Sequence, residues 1–175
     1  MKQIYNQQQL SLTVQRLAHQ LLENHPALEN TVIIGLQPRG VLLSDRIVDM
    51  LKKINPGMEV TYGRLDITFY RDDVRQELHV INKTEIPFSL TSKNVILVDD
   101  VLFTGRTIRA ALDALLDFGR PAKVELCVLI NRRYSRELPI QPDYTGKTID
   151  TFSSQKVKVR WAENGGVDEV NVADV

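Results

Sequence analysis

The chain has 175 residues, 43% hydrophobic and 25% charged, with 22 Lys+Arg against 22 Asp+Glu and one cysteine. That is one domain's worth of sequence, residues 1–175, able to bury about 70% of its extended surface without disulfides. A disordered tail, a collagenous chain and a disulfide scaffold are excluded, as is a globally basic nucleic-acid binder; a local basic patch is not.

From Asn6 to Glu23, Leu10, Val14, Leu17, Ala18, Leu21 and Leu22 recur at helical spacing with one apolar face. Thr31–Gly35 is a short continuous apolar run, the pattern of a strand buried on both faces. Val41–Ile54 returns to helical spacing, Pro56-Gly57 marks a turn, and Glu59–Thr68 predicts a strand. Tyr70–Glu85 is charged and aperiodic, which predicts an exposed, flexible arm or hairpin. Asn94–Val98 is a second buried strand and ends in Asp99-Asp100. Ile108–Phe118 is a helix, stopped by Gly119 and Pro121. Val124–Ile130 is a third buried strand, and the remainder is loop-rich with short strands such as Lys156–Trp161. Strands alternating with helices predict an α/β fold with a largely parallel sheet, whose ligands bind at strand carboxyl ends. Two such ends carry suitable residues: Gly35–Gly40 and Asp99–Thr107.

Cys127 lies inside an apolar strand and reads as a buried thiol in a reducing compartment. His19, His25 and His79 lack ligand spacing, which excludes a structural zinc site. No apolar run approaches the ~20 residues of a membrane span. Met1–Gln9 lacks the apolar centre of a signal peptide, so a soluble cytoplasmic protein is expected.

The strongest constellation runs from Val95 to Thr107. A buried strand delivers two carboxylates to its end, and a short loop then opens a helix near Thr104–Thr107. Helix starts offer unpaired N–H groups and a dipole that favours an anion. Gly105 permits close backbone approach, and the Thr104 and Thr107 hydroxyls add donors. The acids suit sugar hydroxyls or hydrated Mg²⁺, so the whole describes a sugar-phosphate pocket. A plain helix cap at Thr104 beside two exposed aspartates is the alternative, but a cap needs only one such residue. No P-loop fits: Gly35–Gly40 is followed by Val41 instead of lysine, and Gly146-Lys147-Thr148 has Gln141 where the first glycine belongs. No Gly-x-Gly-x-x-Gly occurs either.

The strand, acid pair and Thr-Gly-Arg-Thr loop closely resemble the phosphoribosyl-diphosphate motif of type I phosphoribosyltransferases. With Asp66–Asp73, Gly119–Pro121 and Arg136–Ile140, the sequence resembles the bacterial PyrR family over about residues 5–160. These proteins are pyrimidine operon attenuators with uracil phosphoribosyltransferase activity. The resemblance implies a parallel sheet flanked by helices, with a small hood from the N- and C-terminal parts. It implies the substrates uracil and phosphoribosyl diphosphate, the product UMP, Mg²⁺ bound through substrate, and a homo-oligomer, dimer or larger.

Residue by residue, Asp99 and Asp100 would bind the ribose hydroxyls. The loop Val101, Leu102, Phe103, Thr104, Gly105, Arg106 and Thr107 would bind substrate, with Phe103 to Thr107 around its 5′-phosphate. Pro38, Arg39 and Gly40 match the pyrophosphate loop, where the family tends to use a non-prolyl cis peptide, here expected at Pro38–Arg39. Arg71 to Asp73 match the active-site lid, and Arg132 and Val157 stand at base- and substrate-contacting positions. Arg39 and Arg71 would stabilise charge on the leaving pyrophosphate. Taken without the resemblance, Arg39 is a surface arginine before a helix and Arg71–Asp73 a solvated face. Purine-specific relatives often place an acid where Phe103 stands, so Phe103 favours a pyrimidine unless it is simply core. Leader mRNA of pyrimidine genes would meet Arg16, His19, Arg133 and Arg136. Gln15, Asn24 and Gln141 depart from the family's RNA-contacting residues, and Arg133–Arg136 runs one residue longer. An RNA-binding regulator that uses the pocket only as a nucleotide sensor, and a purine phosphoribosyltransferase, are the other readings.

Overall fold

The computed structural model describes residues 1–72 and 81–174; the centre of the expected arm, including Asp73, lies outside them. Strand β1 (Lys2–Tyr5) leads into helix α1 (Gln7–Asn24). Asn6 caps α1 reciprocally: its side chain accepts from Gln9 N at 2.9 Å, and Gln9 Oε1 accepts from Asn6 N at 3.1 Å. Then follow β2 (Thr31–Leu36), α2 (Gly40–Ile54), β3 (Thr61–Leu65), β4 (Asn94–Leu102), α3 (Arg106–Leu115) and β5 (Lys123–Arg133). The C-terminal part supplies β6 (Tyr144–Asp150), β7 (Gln155–Arg160) and β8 (Glu169–Asp174). No helix among the described residues is long and apolar enough to cross a membrane.

Five strands form a parallel sheet in the order β3-β2-β4-β5-β6. Period-2 alternation divides its side chains between two cores. Ile33, Ile96, Val98, Cys127 and Leu129 face α1 and α2, while Val32, Ile34, Val95, Leu97 and Val128 face α3. Full burial of side chains such as Leu17 and Leu43 contributes about 1.5–3 kcal/mol each. The chain steps from β2 outward to β3, then returns to β4 and proceeds the other way. The gap between the carboxyl ends of β2 and β4 is therefore the switch point where ligands bind in such sheets. A second sheet, β1-β8-β7, is antiparallel and joins the two ends of the chain as the expected hood.

Several element limits differ from the sequence expectation. The third strand is shorter than Glu59–Thr68, because Ile67 begins a bend into a single 3₁₀ turn at Thr68–Tyr70. Strand β4 runs four residues further, through the acid pair to Leu102, because Val101 and Leu102 still pair with Ile130 and Asn131 of β5. Helix α3 stops at Leu115 and tightens into a 3₁₀ turn, Leu116–Phe118, before Gly119 at φ +127°.

Candidate active site

The floor of the site is the end of β4. Asp99 and Asp100 are each only 7% exposed, so they are not the solvated residues of a plain capped helix. Asp99 Oδ1 accepts from Asp100 N at 2.9 Å, and Asp100 Oδ1 accepts from Val101 N at 2.7 Å. Burial pushes Asp99 well above the usual carboxylate range, and the neighbouring charge of Asp100 pushes the same way. Burial also raises Asp100, against the opposing pull of Arg39. The pair is two hard oxygen donors in need of positive charge or hydroxyl hydrogens.

The Asp99–Thr107 segment then turns sharply. Gly105 sits at φ +95°, immediately before α3, in the left-handed region that favours glycine. Thr104 Oγ1 accepts from Arg106 N at 3.3 Å, and Thr104 O accepts from Glu137 N at 2.9 Å. Phe103, Thr104, Gly105, Arg106 and Thr107 line a cavity of about 310 Å³ together with Arg71. Leu102 is buried beneath this loop, in the core against α3.

Opposite the acids, Pro38 and Arg39 close the other wall, and Gly40 opens α2. A Cβ on Gly40 would stand 2.5 Å from the Val98 carbonyl and 2.9 Å from Asp99 Cα, so glycine alone lets α2 start this near the acids. The cis peptide is Gln37–Pro38, not Pro38–Arg39. The bond before a proline is a tertiary amide, where cis costs least.

These walls enclose a cleft of about 710 Å³, into which Val101, Phe103, Thr107, Arg71 and Arg132 also project. Phe103 is 38% exposed and is not core. The Arg132 guanidinium lies 3.9 Å from the Phe103 ring centroid. Buried at 4% exposure, Arg132 donates to Thr151 Oγ1 at 2.8 Å and to the Phe152 and Gln155 carbonyls at 3.2 and 2.9 Å. The hood contributes Val157, as expected, and also Gln155 and Lys156. Asp66 joins from beyond β3, where its carboxylate accepts from Thr68 N at 3.0 Å and Asn82 N at 2.8 Å. Nothing local in the sequence distinguishes Gln155 or Lys156, because only the hood's return over the sheet brings them here.

The four expected RNA-facing residues stand apart from this cleft's acids. Arg16 donates to the Gly146 and Thr145 carbonyls of β6 at 2.5 and 3.3 Å, and His19 is exposed one turn further along α1. Arg133 forks onto Asp150 at 2.6 and 2.9 Å. Arg136 donates to the Phe103 carbonyl and to Asn131 Oδ1, so it braces the Phe103–Thr107 loop.

A phosphoribosyl transferase domain model matches residues 1–164. Bifunctional protein PyrR of Deinococcus deserti is 48% identical over 162 residues, covering 91% of this chain and 87% of that one. Its namesake in Elusimicrobium minutum is 44% identical over 173 residues, covering 98% and 96%. Hypoxanthine phosphoribosyltransferase of Trypanosoma cruzi superposes with a TM-score of 0.75 at 15% identity, covering 99% of this chain and 97% of that one. A hypoxanthine-guanine phosphoribosyltransferase of Bacillus anthracis gives 0.68 at 19% identity, covering 85% and 84%. At such identities the two structures speak for the fold. The PyrR relatives match at more than twice that identity along nine tenths or more of this sequence, and the chain belongs to the PyrR group of phosphoribosyltransferases.

Proposed function

We propose that the protein transfers the phosphoribosyl group of phosphoribosyl diphosphate to uracil, giving UMP and pyrophosphate, and that its UMP-bound form binds the leader mRNA of pyrimidine genes. The observation that carries the enzymatic reading is the buried acid pair Asp99-Asp100 set between a glycine-bent helix start and the Pro38–Gly40 wall. The 5′-phosphate would sit on the amides and hydroxyls of Phe103–Thr107, where the helix dipole favours it. The ribose hydroxyls would donate to Asp99 and Asp100. The pyrophosphate would lie along Pro38–Gly40, and the base between Phe103, Arg132 and Val157.

Transfer breaks the C1–O bond to pyrophosphate, which leaves with the electron pair, while uracil N1 closes on C1 and releases its proton. Ribose C1 carries oxocarbenium character between these events. Arg39 and Arg71 line the cleft and would stabilise charge developing on the leaving group. The two carboxylates, pressed upward in proton affinity by burial, also fit a hydrated Mg²⁺ shared with the diphosphate. Such an ion, when bound, would neutralise the leaving group's charge. Positioning then supplies most of the acceleration.

Phe103 supports a pyrimidine, since it has no proton to exchange with a purine ring and its ring is already stacked on Arg132. Arg16 and Arg133, exposed cations on a chain of zero net charge, support the RNA reading, with His19 exposed one turn beyond Arg16. The test offers uracil, hypoxanthine and guanine separately, with phosphoribosyl diphosphate and Mg²⁺, and follows pyrophosphate release. Uracil is expected to turn over fastest. Equal or better turnover of hypoxanthine overturns the pyrimidine assignment, and UMP binding without any turnover leaves a nucleotide sensor.

A further inference from the structure

The hood's Val157, Trp161, Val170 and Val172 share one buried apolar cluster with Leu43, Ile47 and Val48 of α2, but this packing does not close the whole seam. Between Leu42 on α2 and Lys158 and Arg160 on β7 lies a gap of about 530 Å³, which opens beside Arg39 and Lys156. One helical turn beyond Leu42, on the same face, Arg46 spans the distance. Its guanidinium makes two forks at once. Nε and Nη2 donate to Glu163 at 2.8 and 2.5 Å, and Nη1 and Nη2 donate to Asp168 at 2.7 Å each. The same guanidinium lies 4.6 Å from the ring centroid of Trp161. Asp168 is 8% exposed and also accepts from Ala162 N at 2.8 Å, which ties the turn after β7 into the cluster. Trp161 is 2% exposed, and its Nε1 has no partner among the described residues.

Strand β7 is thus anchored by an arginine at each end. Arg132 grips its start through the Gln155 carbonyl, and Arg46 grips the turn beyond its end. Between the two anchors lie Lys156 and Val157, which face the cleft beside Gln155. Arg46 itself lines neither that cleft nor the phosphate-loop cavity.

We propose that Arg46 is a positioning residue for the base-binding wall: by clamping Glu163, Asp168 and Trp161 to α2, it sets the height of Lys156 and Val157 above the cleft. This rests on the phosphoribosyl-transfer reading for its kinetic consequence. The phosphate loop, the acid pair and the Pro38–Gly40 wall all belong to the parallel-sheet body. Loosening the hood therefore weakens uracil binding and spares phosphoribosyl diphosphate. A residue that merely supports the fold would disturb both.

Trp161 is the chain's single tryptophan, so its fluorescence reports the clamp independently of activity. Arg46→Met keeps the length and loses both forks; Arg46→Lys keeps the charge and loses the planar geometry. In Arg46→Met, acrylamide quenching of Trp161 should rise at least twofold, and KM for uracil at least fivefold. KM for phosphoribosyl diphosphate and the far-ultraviolet circular dichroism should stay within twofold and unchanged, respectively. Arg46→Lys should recover part of both effects, and it carries the test alone if Arg46→Met fails to fold. Unchanged quenching overturns the clamp. Raised quenching with both KM values unchanged, or both KM values rising together, overturns the positioning role. If the wild-type chain does not turn over uracil, the transfer reading fails, while quenching still decides whether Arg46 holds the hood.

Discussion

Asp99 and Asp100 weaken the fold that carries them. A carboxyl whose folded-state pKa is raised above its unfolded value contributes stability below the unfolded pKa and loses it as pH rises through the folded one. At neutral pH burial of the charged pair therefore works against the fold, and on the proposed reading its ligand offsets that cost. Replacing both with Asn keeps size and removes charge. Asp99→Asn/Asp100→Asn should abolish transfer while Tm at pH 7 stays level or rises, and the pH dependence assigned to the pair should flatten. Turnover near wild type in the double variant, by pyrophosphate release, would place the site elsewhere. Gly105 makes a second local demand. At φ +95° a β-branched side chain is strained by about 1–3 kcal/mol, and its Cβ would stand 3.3 Å from Ile140 Cδ1. Gly105→Val should raise KM for phosphoribosyl diphosphate at least tenfold and weaken inhibition by inorganic phosphate to match. An unchanged phosphate inhibition constant would separate this loop from the 5′-phosphate. The acid pair and Gly105 were legible in the sequence as candidates, because the spacing of two acids, a glycine and two threonines carries its own chemistry. The bonds of Arg136, expected as an RNA contact, to the Phe103 carbonyl and Asn131 were not, because they join a loop to a strand end that only the finished sheet brings together.

Strands β2, β4 and β5 stand out in the sequence as unbroken apolar runs, since both of their faces are covered. Strand β6 did not. It lies at the sheet edge and reads Tyr-Thr-Gly-Lys-Thr-Ile-Asp, with neither alternation nor a continuous apolar run. Yet its first residue closes a polar cluster at the end of the sheet opposite the cleft. Tyr144 OH donates to Glu125 Oε2 at 2.9 Å, His25 Nε2 lies 2.7 Å from the same oxygen, and Lys123 Nζ lies 2.6 Å from Oε1. Although burial alone would raise it, these partners together bring Glu125 down to about 2. The depressed value means stability present above the unfolded pKa and lost as pH falls from about 4.5 through about 2, on the order of 3 kcal/mol in all. Glu125→Gln should lower the urea midpoint at pH 7 and flatten that acid limb, whereas a limb as steep as wild type between pH 4.5 and 2 would show that other carboxylates cause it.

The hood was foreseen as the meeting of the two chain ends, but only through a family resemblance. No local pattern could pair Lys2 with Val172 or lay Val157 over a cleft walled by Pro38, Arg39, Asp99 and Asp100. Such pairings depend on how the finished sheet is covered, and so does any surface for RNA. Arg16 and His19 project from α1 beside β6, and Arg133 leaves the end of β5 next to β6, so the edge strand gathers cations from two elements. Two of them are partly engaged. Arg16 rests on carbonyls, and Arg133 is paired with Asp150 in an exposed, solvent-screened ion pair that a phosphate readily replaces. Weak, salt-sensitive RNA binding is the expected outcome, stronger with UMP and dependent on Arg16 and Arg133. Arg136→Ala should act differently, by loosening the phosphate loop and reducing UMP affinity first. In titrations of the leader RNA upstream of the pyrimidine genes, Arg16→Ala and Arg133→Ala should each lower the slope of log affinity against log salt by about 0.7–0.9. Binding no tighter than to a scrambled RNA of equal length, with no response to UMP, would mean that the edge of this sheet is an ordinary solvated face.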